Sequence, residues 1–449
     1  MRHFNGVLAA LALSGHALAQ DLGIKAPPQD KIVFIFNAEI HPVAGEVIEN
    51  GYITFEDGRI TDVGRGGGPS FAPGTELELI DAGGKRVYPG LIGANTLTGL
   101  VEVNSVRATQ DYSETGDIAP EVRAAVAVNP DSTIIPVTRK NGILTVGVLP
   151  MGGLIPGRAS VIRMDGWTWE DLAVKDAAGL MVNWPSLRTI SARWMTRSDS
   201  DQLEQARTRL RAIDDAFDAA AAYVAAREAD PTLAEDLRWE AVRPVLAGEV
   251  PVFIRATEME QIQSAVSWAV RRKLKAVIVG GHDAHLCAEL LKKHDIGVIV
   301  TGTHRMPKRA DSPYDEPFVL PRILEEQGVR WCLATGGGSF DAAHERNLPY
   351  HAATAVAFGL SEEAAIRAIT LSAAELLGVG DRLGSLEVGK AATLIITDGS
   401  PLEVHTRVER AFIDGREISL ENKQTALERK YREKYRQIRP APAGNGSEQ

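Results

Sequence analysis

The sequence predicts an α/β protein: a TIM-like (β/α)8 barrel with a short β segment on each side of it. Three observations lead there. Through the middle of the chain, strand-like apolar runs ending in Gly or polar residues alternate with helical patterns, which implies a parallel sheet, most economically closed into a barrel. Before and after that region the runs are short and separated by hairpin dipeptides. The chain has 449 residues, 44% hydrophobic and 24% charged, enough for one large barrel plus an appended unit of ordinary globular composition.

The chain starts MRHFNGVLAALALSGHALAQ. Arg2 gives a positive start, Val7 to Leu13 an apolar run, and Ala17-Leu18-Ala19 an A-x-A cleavage site, so residues 1–19 read as a secretory signal peptide. The mature protein is expected to begin at Gln20 and to be exported, periplasmic or secreted. The apolar run is too short to span a membrane, and no later stretch is long enough. Residues 20–30 are Pro-rich and loop-like. From Lys31 to Ile80 come IVFIFNAEI, VIENGYITFEDGRITDVG and ELELIDA, with Asn50-Gly51 and Asp57-Gly58 as hairpin turns. Val87 to Ile92 reads as one buried strand, broken by Pro89-Gly90 and running into polar Asn95 and Thr96.

Further strands are expected at Leu144–Leu149, Val252–Arg255, Ala276–Gly280, Val298–Thr301 and Val329–Thr335. A long amphipathic helix fits Asp201 to Glu228, where Leu203, Ala206, Leu210, Ile213, Phe217, Ala220 and Val224 step by three and four. Shorter helices fit Met259–Val270 and Ala284–Lys293. A helix from N-cap Ser361 ends at Gly378, and GSLEVGKAATLIITDGSPLEVHTRVERAFIDGREI returns to strands, with Asp414-Gly415 as a turn. Thr425 to Ile438 is charged and helical, and the tail after Pro440 has a disordered composition.

Net charge is −10, with no Lys/Arg run suited to a phosphate backbone, so nucleic acid is not an expected partner. Cys287 and Cys332 each sit in an apolar segment and read as buried free thiols, although a bridge is open to them in an oxidising compartment.

The phrases VYPGLIGANT, PDSTIIPVTRKNGILTVGVLPMGGLIPG, VFIRATE, IVGGHDAH, LATGGG, NLPYHAATAVAFGLSEEAAIRAITLSAAELLGV and GSLEVGKAATLIITDGSPLE cover most of residues 30–418. In this order they resemble the amidohydrolase superfamily, especially its imidazolonepropionase-like branch. The resemblance implies that residues 31–88 and 380–420 join into one small β-sandwich. Residues 89–379 would form the barrel, and 421–449 a charged helix and tail. It also implies one or two divalent metals, often zinc, at the C-terminal mouth of the barrel. There they make a hydroxide that attacks a C–N bond of an amide, cyclic amide or short peptide.

The family's metal ligands are a His-x-His pair, a bridging Lys, two further His and an Asp. Carried over by motif, the His-x-His places hold Asn95 and Leu97, and the Lys place falls at Met181. One further His place becomes Arg255, the next is kept as His282, and the Asp place becomes Gly336. One ligand of six survives. A lone imidazole does not hold zinc, and Arg255 adds fixed positive charge where a dication would sit. The expected cofactor is therefore none, or weakly bound zinc.

Asn95, Arg255, His282, His304 and Gly336 all follow strand ends and are the pocket candidates. His282 is either a retained ligand or a hydrogen-bonded polar residue at the rim. His285 reads as a surface residue, and His344 and His351 as structural or surface. The run TLTGLVEVNSVRATQDYSETGDIAPEVR, with Glu102, Asn104, Arg107, Asp111, Glu114, Asp117 and Arg123, is a long mouth loop: a functional lid or a solvated one. Gly152 to Gly157 and Gly336-Gly337-Gly338 read as tight strand-exit turns or as anion cradles. Two functions fit: a C–N hydrolase with a reduced metal site, or a pseudoenzyme. The latter binds a small anionic ligand or pairs with an active paralogue. A homo-oligomer fits either.

Overall fold

The computed structural model describes residues 20–438. The expected signal peptide and the tail after Pro440 lie outside them. Pro89-Gly90 is where the chain leaves one sheet for another. The first sheet holds β1 (Ile32–Ile40), β2 (Ile48–Glu56), β3 (Arg59–Arg65), β4 (Leu77–Asp81) and β5 (Arg86–Pro89). The second begins with β6 (Leu91–Thr96). The stretch Val87–Ile92 is thus two strands rather than one. Gly90 sits between them because the backbone passes tightly over β7 (Ile143–Val148): a Cβ there would lie 2.9 Å from Leu144 Cβ.

The chain's far end returns to the first sheet as β14 (Leu394–Thr397), β15 (Val408–Ile413) and β16 (Arg416–Glu417). β14 runs antiparallel to β5, Leu394 opposite Pro89, and the strand order is β16-β15-β14-β5-β1-β2-β3, with β4 beside β1. Phe55 of β2 meets Phe412 of β15 edge to face at 5.3 Å, although β1, β5 and β14 lie between their strands. The sheet therefore curls over itself, and its two flanking pieces share one core of Val33, Ile35, Ile53, Leu394 and Ile396. Asp57-Gly58 and Asp414-Gly415 have the positive φ angles that tight hairpins need. Asn50-Gly51 does not form a hairpin: it lies inside β2, where the register against β1 slips, and Asn50 takes the positive φ of a bulge.

The second sheet continues from β6 and β7 through β8 (Gly157–Arg163), β9 (Ala173–Asn183), β10 (Val252–Ala256), β11 (Ala276–Gly280), β12 (Gly297–Thr301) and β13 (Trp331–Ala334), side by side in sequence order. β8 is antiparallel to both neighbours, and the other adjacent pairs are parallel. Alternate residues fill the barrel interior: Ile92, Met181, Phe253, Val277, Ile299 and Cys332 form one cluster. The helix Leu371–Leu376 joins it. Leu376 presses on Gly297 at the start of β12, where a Cβ would lie 2.3 Å from its Cδ2, so this helix plugs the N-terminal end.

The long helix is Asp199–Ala229, capped by Ser198 and burying Ala206, Ile213, Ala216, Phe217 and Ala220. Ser361 caps its helix as expected, through its Oγ and the Ala364 N–H. That helix stops at Ala368, Thr370 breaks it, and Leu371–Leu376 starts anew, so residues 361–378 are two helices. Both cysteines are buried and unpaired. Burial pushes the Cys287 thiol up to about 11 and Cys332 up as well.

Candidate active site

Period-two alternation sets the mouth. Phe253 of β10 points into the barrel, so Arg255, two residues on, points the same way at the strand's C-terminal end. Its Nη1 donates to the Pro150 carbonyl at 2.9 Å and to Asn183 Oδ1 at 3.2 Å, and its Nη2 to the Leu149 carbonyl at 3.1 Å. The guanidinium thus ties the ends of β7, β9 and β10 together. None of its hydrogen-bond partners is a carboxylate, and burial alone lowers its pKa to about 10, which leaves it charged at neutral pH. Asn183 Nδ2 donates in turn to the carbonyls of Gly152 at 2.7 Å and Gly153 at 3.1 Å. The N–H groups of Leu154 and Ile155 are both taken by the Asp117 carbonyl. The Gly152–Gly157 turn is therefore closed on itself and offers no cradle of free N–H groups at these positions.

His282 follows β11. Its Nε2 lies 3.1 Å from Thr301 Oγ1, and its pKa is pushed down to about 4, first by burial and then by Arg305 and Lys308. Those cations come from the loop after β12. Arg309 of that loop clamps buried Asp283 at 2.6 Å, Lys308 stands 3.6 Å from Asp283 and 3.7 Å from Glu258, and Arg305 pairs with Glu316 at 3.0 Å. A neutral imidazole flanked by Arg305 and Lys308 is a poor place for a dication. His304 turns to the helix Leu348–Ala357: its Nε2 meets Thr354 Oγ1 at 2.8 Å, and its ring stacks on His351 at 4.0 Å. His351 Nδ1 accepts from the Thr303 and His304 N–H groups, so it carries no proton there, and burial lowers its pKa to about 3. His285 Nδ1 is buried without a hydrogen-bond partner, and burial lowers its pKa.

At the other side of the mouth the register of β6 against β7 slips between Gly93 and Thr96. Asn95 is buried there and lies against Gly337, where a Cβ would sit 1.8 Å from Asn95 Nδ2, and its Oδ1 has no hydrogen-bond partner. Leu97 is fully buried in the cluster between barrel and helices, and Met181 in the barrel interior. Gly336 leaves room for another residue's acid: a Cβ at 336 would lie 2.3 Å from Asp341 Oδ2, and that carboxylate accepts from the Gly338 N–H. Gly93 does the same for Glu345, whose Oε1 would sit 2.1 Å from a Cβ at 93. Glu345 is fully buried, Oε1 has no hydrogen-bond partner, and burial raises its pKa to about 7.

The mouth thus gathers Arg255 with Asn183, and Asn95 with Gly336, Asp341 and Glu345, while His304 is engaged elsewhere. Asn183, Asp341 and Glu345 went unread in the sequence. The trace of the two acids in the sequence was a pair of glycines, Gly93 and Gly336, the second at the Asp place that the resemblance implies.

Among the described residues no group of three or more His, Cys, Asp or Glu is arranged to hold a metal ion. Arg255, the cation-flanked His282, and the apolar Leu97 and Met181 do not form a donor set for zinc. The long loop after β6 adds a cleft of about 470 Å³, lined among others by Arg107, Asp111, Tyr112, Glu114, Arg123 and Pro150. Pro150 is the residue whose carbonyl Arg255 holds. Arg123 is paired with Asp176 at 2.6 Å, and burial raises the Glu102 carboxyl.

Residues 264–423 match the amidohydrolase family. Amidohydrolase tasK of Hapsidospora irregularis is 24% identical over 396 residues, which are 82% of this chain and 39% of that protein. The chain thus spans well under half the length of that relative. Imidazolonepropionase of Brucella suis is 26% identical over 152 residues, 34% of this chain and 36% of its own length. Among solved structures, an amidohydrolase from Thermotoga maritima superposes with a TM-score of 0.73 at 24% identity, covering 86% of this chain and 99% of that one. A prolidase complexed with n-methylphosphonate-l-proline superposes at 0.51 and 18% identity, covering 87% and 100%.

Proposed function

We propose that the chain, which matches the amidohydrolase family over residues 264–423, is an exported member of that superfamily whose barrel binds a small anionic ligand at its mouth without the family's metal-hydroxide chemistry. The observation that carries this reading is Arg255: a charged guanidinium at a strand end, bound by carbonyls and an amide oxygen. Such a group is an anchor for a carboxylate or similar anion. Exclusion of a dication follows from the same charge.

A second reading keeps hydrolysis of an amide or cyclic-amide C–N bond. It is favoured by the relatives' printed names and by the carboxyls of Asp341 and Glu345, which lie over Gly336 and Gly93. In that reading the site is rebuilt, with zinc weakly held.

Calorimetry on the wild type and on Arg255→Met, with small carboxylates, neutral amides and cationic amines, tests the first reading. Anions alone should bind, and the variant should lose at least about tenfold in affinity. Equal anion affinity in the variant would sink it, as would turnover of N-acyl amino acids, dipeptides or cyclic ureides. Export is tested by N-terminal sequencing of the mature protein: a start at Gln20 supports it, and retention of Met1 contradicts it.

A further inference from the structure

The helix Lys423–Ile438 buries none of its residues, and from Ala426 onward every one is exposed. Its start is fixed by Asn422, whose Oδ1 accepts from the Gln424 and Thr425 N–H groups. Arg429 reaches back to Glu421 at 2.5 Å, and no residue from Ala426 to Ile438 is buried. An isolated helix of about this length is marginal in water, because its stability ordinarily comes from packing an apolar face. Pairs such as Glu428–Arg432 and Glu433–Arg436 add only a little.

The helix has such a face. Leu427, Tyr431, Tyr435 and Ile438 follow a four-four-three spacing, which places them in one stripe, and they are 39%, 49%, 54% and 63% exposed. Its charge is just as one-sided. The sixteen residues hold three Lys, three Arg and two Glu, in a chain whose net charge is −10. Both acids are already paired within the helix. Lys434 lies 5.7 Å from the centres of both tyrosine rings, so cation and aromatic edge share one border of the stripe.

We infer that this helix is a docking element for an anionic lipid surface. A basic amphipathic helix with tyrosines along the apolar edge lies in the headgroup region, stripe downward, with its cations on the lipid phosphates. Two copies of the helix laid together would set an excess of positive charge against the same excess. The inference does not depend on what the barrel mouth binds.

Co-sedimentation of the full chain with vesicles tests it. Binding is expected to vesicles containing phosphatidylglycerol and not to pure phosphatidylcholine, and it should weaken as salt rises. Lys430→Gln with Lys434→Gln should weaken it by at least about tenfold. Leu427→Ser, Tyr431→Ser and Tyr435→Ser together should abolish it and leave the melting temperature of the body unchanged, since none of those side chains belongs to the buried core. No binding, or equal binding to neutral vesicles, overturns the inference. So does a concentration-dependent dimer, present without lipid, that the triple variant dissolves: that would assign the stripe to a second copy.

Discussion

Glu345 accepts a hydrogen bond from the Thr335 hydroxyl at 2.5 Å, and the contact closes the seam between β13 and β6. These are the two ends of the barrel's strand order. Thr335 follows β13, and the other carboxyl oxygen lies over Gly93 of β6. A carboxyl with so little water around it favours its neutral form.

That gives a pH signature. The Glu345 pKa rises from 4.5 to about 7 on folding, so the folded state holds the proton more tightly. Its contribution is fully present below 4.5 and is lost as pH rises through 7. Measured against Glu345→Gln, which stays neutral, wild-type stability should fall by up to about 3 kcal/mol between pH 4.5 and pH 8. Denaturant titrations of both proteins across that range check this. A difference independent of pH would show that Glu345 is ionised throughout.

Arg255 should matter to stability as well as to ligand. Arg255→Met removes the donor from two carbonyls and an amide oxygen, and leaving such groups buried and unpaired costs about 1–3 kcal/mol. Lysine cannot span the same three acceptors with a fork, so Arg255→Lys should recover only part of the loss. Chemical denaturation reads both.

The family's metal set should not be restorable by its own residues alone. Asn95→His, Leu97→His, Arg255→His and Gly336→Asp return three imidazoles and a carboxylate. The new Asp, however, starts 2.3 Å from Asp341 Oδ2. Zinc affinity should rise by orders of magnitude only when Asp341→Ala is added. Tight zinc binding by the fourfold variant without that change would show that the segment from Gly336 to Asp341 yields easily.

The Phe55–Phe412 contact joins the two flanking β pieces. Phe412→Ala should cost about 3–5 kcal/mol and expose the first sheet to limited proteolysis before the barrel. Loss of under about 1 kcal/mol would mean that the early β segment carries its own core.

Much of this was legible in the chain. Strands with continuous apolar runs, such as Val252–Ala256 and Ala276–Gly280, announce themselves because both faces are buried. The hairpin of β8 and β9 was not read. Its connection does hold an Asp-Gly, Asp165-Gly166, but it runs on through a short helix, Trp169–Leu172, and β9 begins with the mixed run Ala173–Ala177, which has no clean period. Asn50-Gly51 misled because the same dipeptide suits a bulge. The missing ligands were visible position by position, but their replacement by Asp341 and Glu345 was not. Those acids come from a later segment, and only the empty space above Gly93 and Gly336 lets them in.

The measurement that bears most directly on the account is the zinc content of the purified wild-type chain, read with its melting temperature in the presence of added Zn²⁺. A mouth held by Arg255 should carry well under one zinc per chain and show no shift, because an ion that does not bind the native state cannot stabilise it. Stoichiometric zinc, with a hydrolytic activity that His282→Ala removes, would contradict the account and show that the metal site was rebuilt.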